Sequence, residues 1–364
     1  PSLMIPGPVD VNDTVLAEMR KPVVPHYGNE WASYYNRTAD LVKTVVNTKE
    51  EVIIYNGSGT AALDALIGSV VEEGDKVLVG CNGWFGHIIE RIVNAYRGET
   101  ILVRADWGEV ITPQLVKQSL ENHDNVKMFI LVHNETSTGV KNPVKEIGEV
   151  VKSYNCLFMV DGVSSIGGME FKMDAWGVDL LATASQKAIG APPGLAIMAV
   201  SEKAFQKMIN RTKPPCCFYL NLLEIKECID KNKDYQPYGI SMAIHNVRAL
   251  RKSLEIILDE GLENRIARHS SMASLLRHNL KLMDTSIVAR DEDYASDTIT
   301  ALKIPESVRQ KELQAFLKER FNIIVAPGLG RLRNDTVRIG HMNLGASYSA
   351  VYGVINGLKL FFGR

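Results

Sequence analysis

The sequence has few cysteines, and their spacing implies neither a disulfide framework nor a metal site. The five cysteines, at positions 81, 156, 216, 217 and 228, form no CxxC pair and no Cys/His spacing of the zinc type. Two of them lie in or beside apolar runs. We therefore interpret them as reduced thiols of a cytoplasmic protein, and we expect no bound metal.

The sequence also lacks an excess of charge of either sign and lacks apolar runs of membrane-spanning length. The formal net charge is −1, so nothing indicates a surface that attracts nucleic acid or an anionic membrane. No positively charged segment followed by an apolar stretch begins the sequence. We expect a cytoplasmic location and neither nucleic acid nor a membrane as a partner.

Low-complexity linkers and charge blocks are missing too, so nothing divides the 364 residues into independent modules. A chain of this length favours one large domain with a smaller dependent one. Strand–helix alternation and the continuous apolar run 126–132 predict a doubly wound α/β sheet that is mainly parallel, with helices on both faces. The predicted divisions are an extended arm (1–14), a large domain (15–260) and a small α+β domain (261–364).

Lys187 is the most informative residue, because it lies in the sequence LLATASQKAIGAPPGL between two apolar strands. Burial lowers the pKa of a lysine and makes its amine nucleophilic enough to form an imine. A lone lysine at a strand edge more commonly extends its ammonium group into water. The upstream sequence nevertheless favours the imine-forming lysine.

That upstream feature is Asp161, which ends the apolar run CLFMV. Parallel strands in α/β proteins present functional residues at their carboxyl ends, so Asp161 and Lys187 are expected to face one crevice. Pyridoxal phosphate requires this pair, since its aldehyde takes the lysine amine and its ring nitrogen is kept protonated by a carboxylate. The alternative for Asp161 is a turn or helix cap.

A phosphate site is predicted where the strand 51–55 meets the next helix. Gly57, Ser58, Gly59 and Thr60 form this turn, and a glycine turn at the positive end of a helix presents backbone N–H groups and hydroxyls to an anion. Tight turns and N-caps use the same residues for structural reasons.

The segments DGVSSIGG, SQKAIGAPPGL and HNETSTGVKNP resemble those of fold-type I pyridoxal-phosphate enzymes. Within them, the chain is similar to class V aminotransferases of the alanine–glyoxylate and serine–pyruvate group. The resemblance runs from Gly7 to Gly340. It implies a transferase with pyridoxal 5'-phosphate as cofactor, Lys187 as the catalytic residue and the phosphate at residues 57–60.

The resemblance also implies further cofactor contacts. An aromatic ring stacks on the pyridine in this family; Phe85 matches that position and Trp84 is the adjacent possibility. Thr136 and Gln186 match polar residues that contact the cofactor. Tyr238 and Ser241 match a Tyr-x-x-Thr motif that reaches the cofactor phosphate of the other subunit, which implies a homodimer with shared active sites; a turn with a serine N-cap is the alternative.

Two residues are predicted to serve the substrate. Gly7 matches a turn of the N-terminal arm at the edge of the substrate pocket; the alternative is a frayed terminus. Arg338 matches the arginine that binds the substrate carboxylate, a task suited to a planar guanidinium group. A salt-bridged edge residue is its alternative.

The expected reaction is ping-pong transamination of alanine or serine with glyoxylate or pyruvate. The same fold supports cysteine desulfurases, which usually carry His before the lysine; this sequence has Gln186 there. A protein that binds a phosphate ligand without catalysis is a further alternative, but it leaves the Asp161 and Lys187 pair unexplained.

Overall fold

The computed structural model of the protein describes residues 1–363. Its strands, in chain order, are β1 (Ser2–Met4), β2 (Glu51–Asn56), β3 (Lys76–Cys81), β4 (Glu99–Arg104), β5 (Val126–Val132), β6 (Asn134–Glu135), β7 (Val140–Lys141), β8 (Leu157–Asp161), β9 (Leu180–Ala184), β10 (Leu195–Val200), β11 (Ile299–Lys303), β12 (Ile323–Pro327) and β13 (Thr336–Gly340).

The helices, in chain order, are α1 (Asp13–Glu18), α2 (Asn29–Val46), α3 (Gly59–Val70), α4 (Trp84–Ala95), α5 (Pro113–Glu121), α6 (Val144–Val151), α7 (Glu202–Ile209), α8 (Leu222–Asn232), α9 (Ile244–Glu260), α10 (Leu262–Leu282), α11 (Gln310–Phe321) and α12 (Tyr348–Phe362).

A seven-stranded sheet forms the centre of the molecule, in the order β2-β10-β9-β8-β5-β3-β4. The four pairings from β9 through β8, β5 and β3 to β4 are parallel, and β10 runs antiparallel to both β2 and β9. Strands β8, β9 and β10 are buried at every position, as expected for strands covered on both faces. This confirms the mainly parallel α/β architecture of a fold-type I transferase.

Parallel pairing brings the carboxyl ends of β3, β5, β8 and β9 to one edge of the sheet. Strand β2 runs in the same direction as β9, because each is antiparallel to β10. The turns that leave these five strands therefore meet along that edge, which is where α/β sheets bind ligands.

A second sheet, in the order β1-β12-β13-β11, lies outside the central one. Its apolar side chains form a separate core with those of α10, α11 and α12. Strand β1 pairs in parallel with β12, so the first residues of the predicted arm belong to this sheet. Gly261 ends α9 and precedes α10 with a positive φ of 82°, at the predicted boundary of the small domain.

Within residues 1–363, no helix combines the length and the apolar character needed to cross a bilayer.

Candidate active site

Lys187 lies in the loop between β9 and β10, at the edge where the strands end. Its Nζ donates a hydrogen bond to the carbonyl oxygen of Pro6. Burial, and less strongly the nearby Arg338 cation, lower the pKa of the lysine to about 8, while Asp161 opposes the change. The amine is thus much closer to its neutral, nucleophilic form at physiological pH than an exposed lysine.

Asp161 is the last residue of β8, next to β9 in the sheet. Its carboxylate is 4% exposed and accepts a hydrogen bond of 2.9 Å from the backbone N–H of Val163. Burial raises its pKa to about 6, a change that the Val163 hydrogen bond opposes. A carboxylate in such surroundings is stabilised by a cation, which a protonated pyridine nitrogen would provide.

One cavity of about 160 Å³ joins these residues. It is lined by Ser58, Gly59, Thr60, Leu63, Phe85, Ile88, Val132, Asn134, Thr136, Asp161, Val163, Ser164, Gln186 and Lys187.

The N-terminus of α3 forms one wall of the cavity. Ser58 is the N-cap of this helix, and its Oγ accepts a hydrogen bond of 3.4 Å from Ala61 N. The N–H groups of a first helical turn lack intrahelical partners and favour an anion. With Gly59 and Thr60 also in the lining, this end is suited to hold the cofactor phosphate.

Gly57 does not share in this wall. Its N–H donates to the carbonyl oxygen of Gly194 at 2.9 Å, so it is not free to bind a phosphate. A Cβ at this position would lie 2.8 Å from that of Ala61. Gly57 therefore shapes the turn with its N–H already paired, and the cofactor contact predicted for it stays a prediction.

The structure distinguishes between the two aromatic residues at the start of α4. Phe85 lines the cavity. Trp84 instead packs toward Gly330, between β12 and β13, where a Cβ would come within 2.8 Å of the indole ring. Phe85 is therefore the residue positioned to cover a cofactor ring.

The loop after β5 supplies a polar wall. Thr136 Oγ1 donates to Ser164 Oγ at 2.8 Å, and Ser164 Oγ donates to the carbonyl oxygen of Asn134 at 2.9 Å. Asn134 Nδ2 in turn donates to Thr298 Oγ1 at 2.9 Å. These bonds fix the positions of the hydroxyl and amide groups that face the cavity.

Two buried oxygens of the lining show that the cavity fits a polar ligand. Asn134 Oδ1 and Gln186 Oε1 are both inaccessible to solvent and have no hydrogen-bond partner in the chain. A buried acceptor without a partner is destabilising, so such groups usually mark a site for a bound molecule. Together with the lysine, the carboxylate and the α3 terminus, they match the donors and acceptors of pyridoxal phosphate.

Arg338 lies in the middle of β13, with 8% of its surface exposed. Its Nε donates to the carbonyl oxygen of Pro327 at 2.8 Å. Burial lowers its pKa to about 10, and the negative charge of Glu135 opposes this change. The guanidinium group is thus charged and close to Lys187, beside the cavity rather than in its lining.

The N-terminal segment covers the lysine. Gly7 has a φ of 95°, and a Cβ on it would lie 2.5 Å from Cδ and 2.8 Å from Nζ of Lys187. The N–H of Val9 donates to the carbonyl oxygen of Gln186 at 3.2 Å. Gly7 therefore lies against Lys187 of its own chain, and its predicted place at the edge of the substrate pocket stays a prediction.

Tyr238 and Ser241 do not line the cavity. Tyr238 is 1% exposed, and its hydroxyl donates to the carbonyl oxygen of His26. The side chain is thus held in the core of its own chain, and its predicted contact with the cofactor phosphate of the other subunit stays a prediction. Ser241 is exposed, and its carbonyl oxygen accepts a 2.7 Å bond from Asn56 Nδ2.

Three residues of the site were not predicted: Asn134, Ser164 and Glu135. The first two line the cavity, and Glu135 binds the start of α4 through its carboxylate. The available signal was their position just after β5 and β8, the strand ends where ligands are expected.

Comparison with known proteins shows the family of the chain. The model of the family described as aminotransferase class V matches residues 13–332. An uncharacterized aminotransferase of Methanocaldococcus jannaschii is 40% identical over 342 residues, covering 94% of this chain and 88% of the relative. The alanine–glyoxylate aminotransferase of Oryctolagus cuniculus is 30% identical over 361 residues, covering 98% of this chain and 91% of the relative.

Among solved structures, the alanine–glyoxylate aminotransferase of Nostoc sp. superposes with a TM-score of 0.93 and 32% identity, covering 100% of this chain and 96% of that one. The fold and the site define a fold-type I aminotransferase with pyridoxal phosphate as its cofactor. The chain belongs to the class V aminotransferase family.

Proposed function

We propose that the protein transfers the amino group of alanine or serine to glyoxylate or pyruvate by a ping-pong mechanism. The cofactor, when bound, supplies an electron sink that makes the Cα proton of the amino acid acidic. Relatives named as alanine–glyoxylate aminotransferases support this substrate class.

The main observation in support of this substrate class is the distribution of positive charge around the cavity. Among its lining residues, Lys187 alone is cationic, and Arg338 lies beside it on β13. One guanidinium group binds one carboxylate in a bidentate manner. A second carboxylate or a phosphate on the substrate would have no cation left to pair with, which favours small monocarboxylic substrates.

The roles of the protein groups follow from their surroundings. Arg338 would orient the substrate carboxylate, and Asp161 would hold the ring nitrogen of the cofactor in its protonated form. Lys187, with its lowered pKa of about 8, is suited to take up and return the Cα proton as a general base and acid. The carbonyl oxygen of Pro6 accepts one N–H of this amine and thereby orients it.

A desulfurase would need an activated thiol, and the described residues provide little support for one. None of the five cysteines lines the cavity. Burial raises the pKa of Cys81 and of Cys156 to about 11 and also raises the pKa of Cys217 and Cys228. A raised pKa reduces the thiolate fraction that such chemistry requires.

The proposal includes a homodimer. Ser241 is on the surface next to Asn56, which precedes the phosphate turn, so its hydroxyl is accessible to a second copy. Tyr238 would have to leave the core to take part. Sedimentation of the cofactor-bound wild-type protein and of its Ser241→Arg variant tests the homodimer. A wild-type protein that is monomeric at micromolar concentration and fully active would contradict a shared site.

The reaction itself is tested by absorption spectroscopy of the cofactor-bound protein. Alanine or serine should convert the spectrum of the lysine-bound cofactor to that of the amine form, and glyoxylate or pyruvate should restore it. Lys187→Ala is the matched control and should lose this interconversion. Release of sulfide from cysteine, without reversible conversion by alanine or serine, would contradict transamination and favour the desulfurase.

A further inference from the structure

Helix α4 starts without a cap of its own. Its first residue is Trp84, and the preceding Gly83 has no side chain that can accept a hydrogen bond. The N–H groups of a first helical turn need acceptors from elsewhere when they are shielded from water. This need is pronounced here, because the same turn carries Phe85 to the wall of the cavity.

The missing acceptors come from the loop after β5. Glu135 Oε2 accepts from Phe85 N at 3.0 Å and from Gly86 N at 3.3 Å. Ser137 Oγ accepts from Trp84 N at 2.9 Å. Three successive N–H groups of α4 are thus bound by two side chains that lie about fifty positions further along the chain.

Glu135 is held as firmly on its other oxygen. Its Oε1 accepts from Ser137 N at 3.0 Å and from Ser137 Oγ at 2.6 Å. All four contacts of the carboxylate are with donors, so a proton on Glu135 would displace one of them. The side chain is 0% exposed, and the positive end of α4 favours its negative charge. Burial raises the pKa of this carboxyl, and the hydrogen bonds from Ser137, Gly86 and Phe85 oppose that change. These bonds therefore favour the ionised form.

The Glu135 side chain occupies space that is open only because residue 83 is glycine. A Cβ added at Gly83 would overlap both Glu135 and Ser137, so the glycine before α4 is the space that the carboxylate occupies. The N-cap position therefore lacks a side chain, and the buried carboxylate of Glu135 takes its place as the cap.

We infer that Glu135 is a positioning residue of the aminotransferase site: its buried carboxylate, with Ser137, caps α4 and thereby fixes the Phe85 ring against the cofactor. Glu135 acts through the helix start and does not touch the reacting atoms. The negative charge matters as well as the shape, since a neutral amide would place an N–H group against N–H donors.

The test compares Glu135→Gln with Glu135→Asp in the cofactor-bound protein. Glu135→Gln should weaken the circular dichroism of the bound cofactor, because the ring is held less rigidly, and should lower kcat with alanine about 100-fold, the size of effect that a small misplacement can have. Glu135→Asp keeps the charge but is one methylene shorter, and it should recover part of both signals. Unchanged dichroism and kcat in folded Glu135→Gln would overturn the inference.

A double-variant cycle identifies the route of action. If Glu135 works by holding Phe85, then Glu135→Gln should cost little more kcat in a Phe85→Ala background than Phe85→Ala alone. If the kcat losses of the two single variants multiply in the double variant, Glu135 and Phe85 act independently, and the inference is overturned.

Thr112→Ala removes the N-cap of α5, where Thr112 Oγ1 accepts from Leu115 N at 3.2 Å, and it serves as the control for loss of a helix cap. It should leave kcat and the cofactor dichroism as in wild type. Should Glu135→Gln fail to fold, Ser137→Ala replaces it and should give a smaller loss of both signals; no loss in that variant would overturn the inference.

The inference needs the bound cofactor but not a particular amino donor. If wild-type protein fails to react with alanine, the proposed substrate class is wrong, while the dichroism of the variants still tests Glu135.

Discussion

Gly7 leaves the space that the Lys187 side chain occupies. The two residues are 180 positions apart, yet a methyl group on Gly7 would lie within 2.9 Å of Cδ, Cε and Nζ of the lysine. The N-terminal segment is held in this place by β1 in the second sheet and by the bond from Val9 N to Gln186 O. The lysine is thus enclosed by residues from the first ten positions of the sequence.

Replacing Gly7 with alanine should lower kcat about 100-fold, because the added methyl group displaces the lysine amine. Gly74→Ala is the matched control: Gly74 also has a positive φ, 85°, but a Cβ there meets nothing within 4 Å. Both variants should lose about 1 kcal/mol of folding stability from the left-handed backbone. Equal activities of the two variants would contradict the contact between Gly7 and Lys187.

Arg338→Gln should raise the pKa of Lys187 in the cofactor-free protein. Burial is the main cause of the lowered pKa of about 8, and the Arg338 cation is the second. The neutral amine is the form that reacts, so cofactor uptake by wild type should accelerate as the pH rises through about 8. In Arg338→Gln the midpoint should move to higher pH, whereas Arg338→Lys, which keeps the charge, should retain it. Rates of cofactor uptake against pH measure this, and a midpoint that falls in Arg338→Gln would refute the coupling.

Cofactor affinity should decrease as the pH falls through about 6, where Asp161 takes up a proton. Burial raises the pKa of this carboxyl to about 6, so it is ionised above that pH and able to pair with the ring nitrogen. Asp161→Asn should bind the cofactor more weakly at neutral pH, and its affinity should change much less as the pH falls through about 6. The cofactor phosphate also titrates near pH 6. The pH dependence of affinity that remains in Asp161→Asn therefore measures the contribution of the phosphate. Identical pH profiles for the two proteins would rule out the role of Asp161.

Tyr238→Phe should reduce stability and leave cofactor binding unchanged. The hydroxyl donates to His26 O inside the chain, and loss of such a bond costs about 1 kcal/mol. Chemical unfolding and cofactor titration separate the two effects. Markedly weaker cofactor binding with unchanged stability would instead support the contact with a second subunit that the sequence motif predicts.

The predicted site residues that the structure brings together lie at strand ends. Lys187 and Asp161 follow apolar runs that are fully buried in β9 and β8, and parallel strands bring their carboxyl ends together. The phosphate turn is similar, since Ser58 and Thr60 follow β2 directly and line the same cavity. The local sequence pattern is sufficient to predict these neighbours, because the direction of the strands determines which residues meet.

Gly57 and Tyr238 show what that reasoning leaves open. Both residues fit a motif, but their polar groups bind partners at a distance in sequence: Gly57 N donates to Gly194 O, and Tyr238 donates to His26 O. No spacing within the motif reveals such a partner. Whether a group is free for a ligand depends on hydrogen bonds that form only when the chain is folded.

Sequence by itself determined the α/β sheet, the lysine and carboxylate pair and therefore the cofactor, because these depend on apolar runs and on the residues that end them. Tertiary structure decided between Phe85 and Trp84 at the cavity, placed Gly7 directly against the lysine side chain, and showed that Glu135 caps α4. These three arrangements join segments far apart in the chain. Their geometry depends on side-chain packing and on buried hydrogen bonds that must all be satisfied together, which no local pattern encodes.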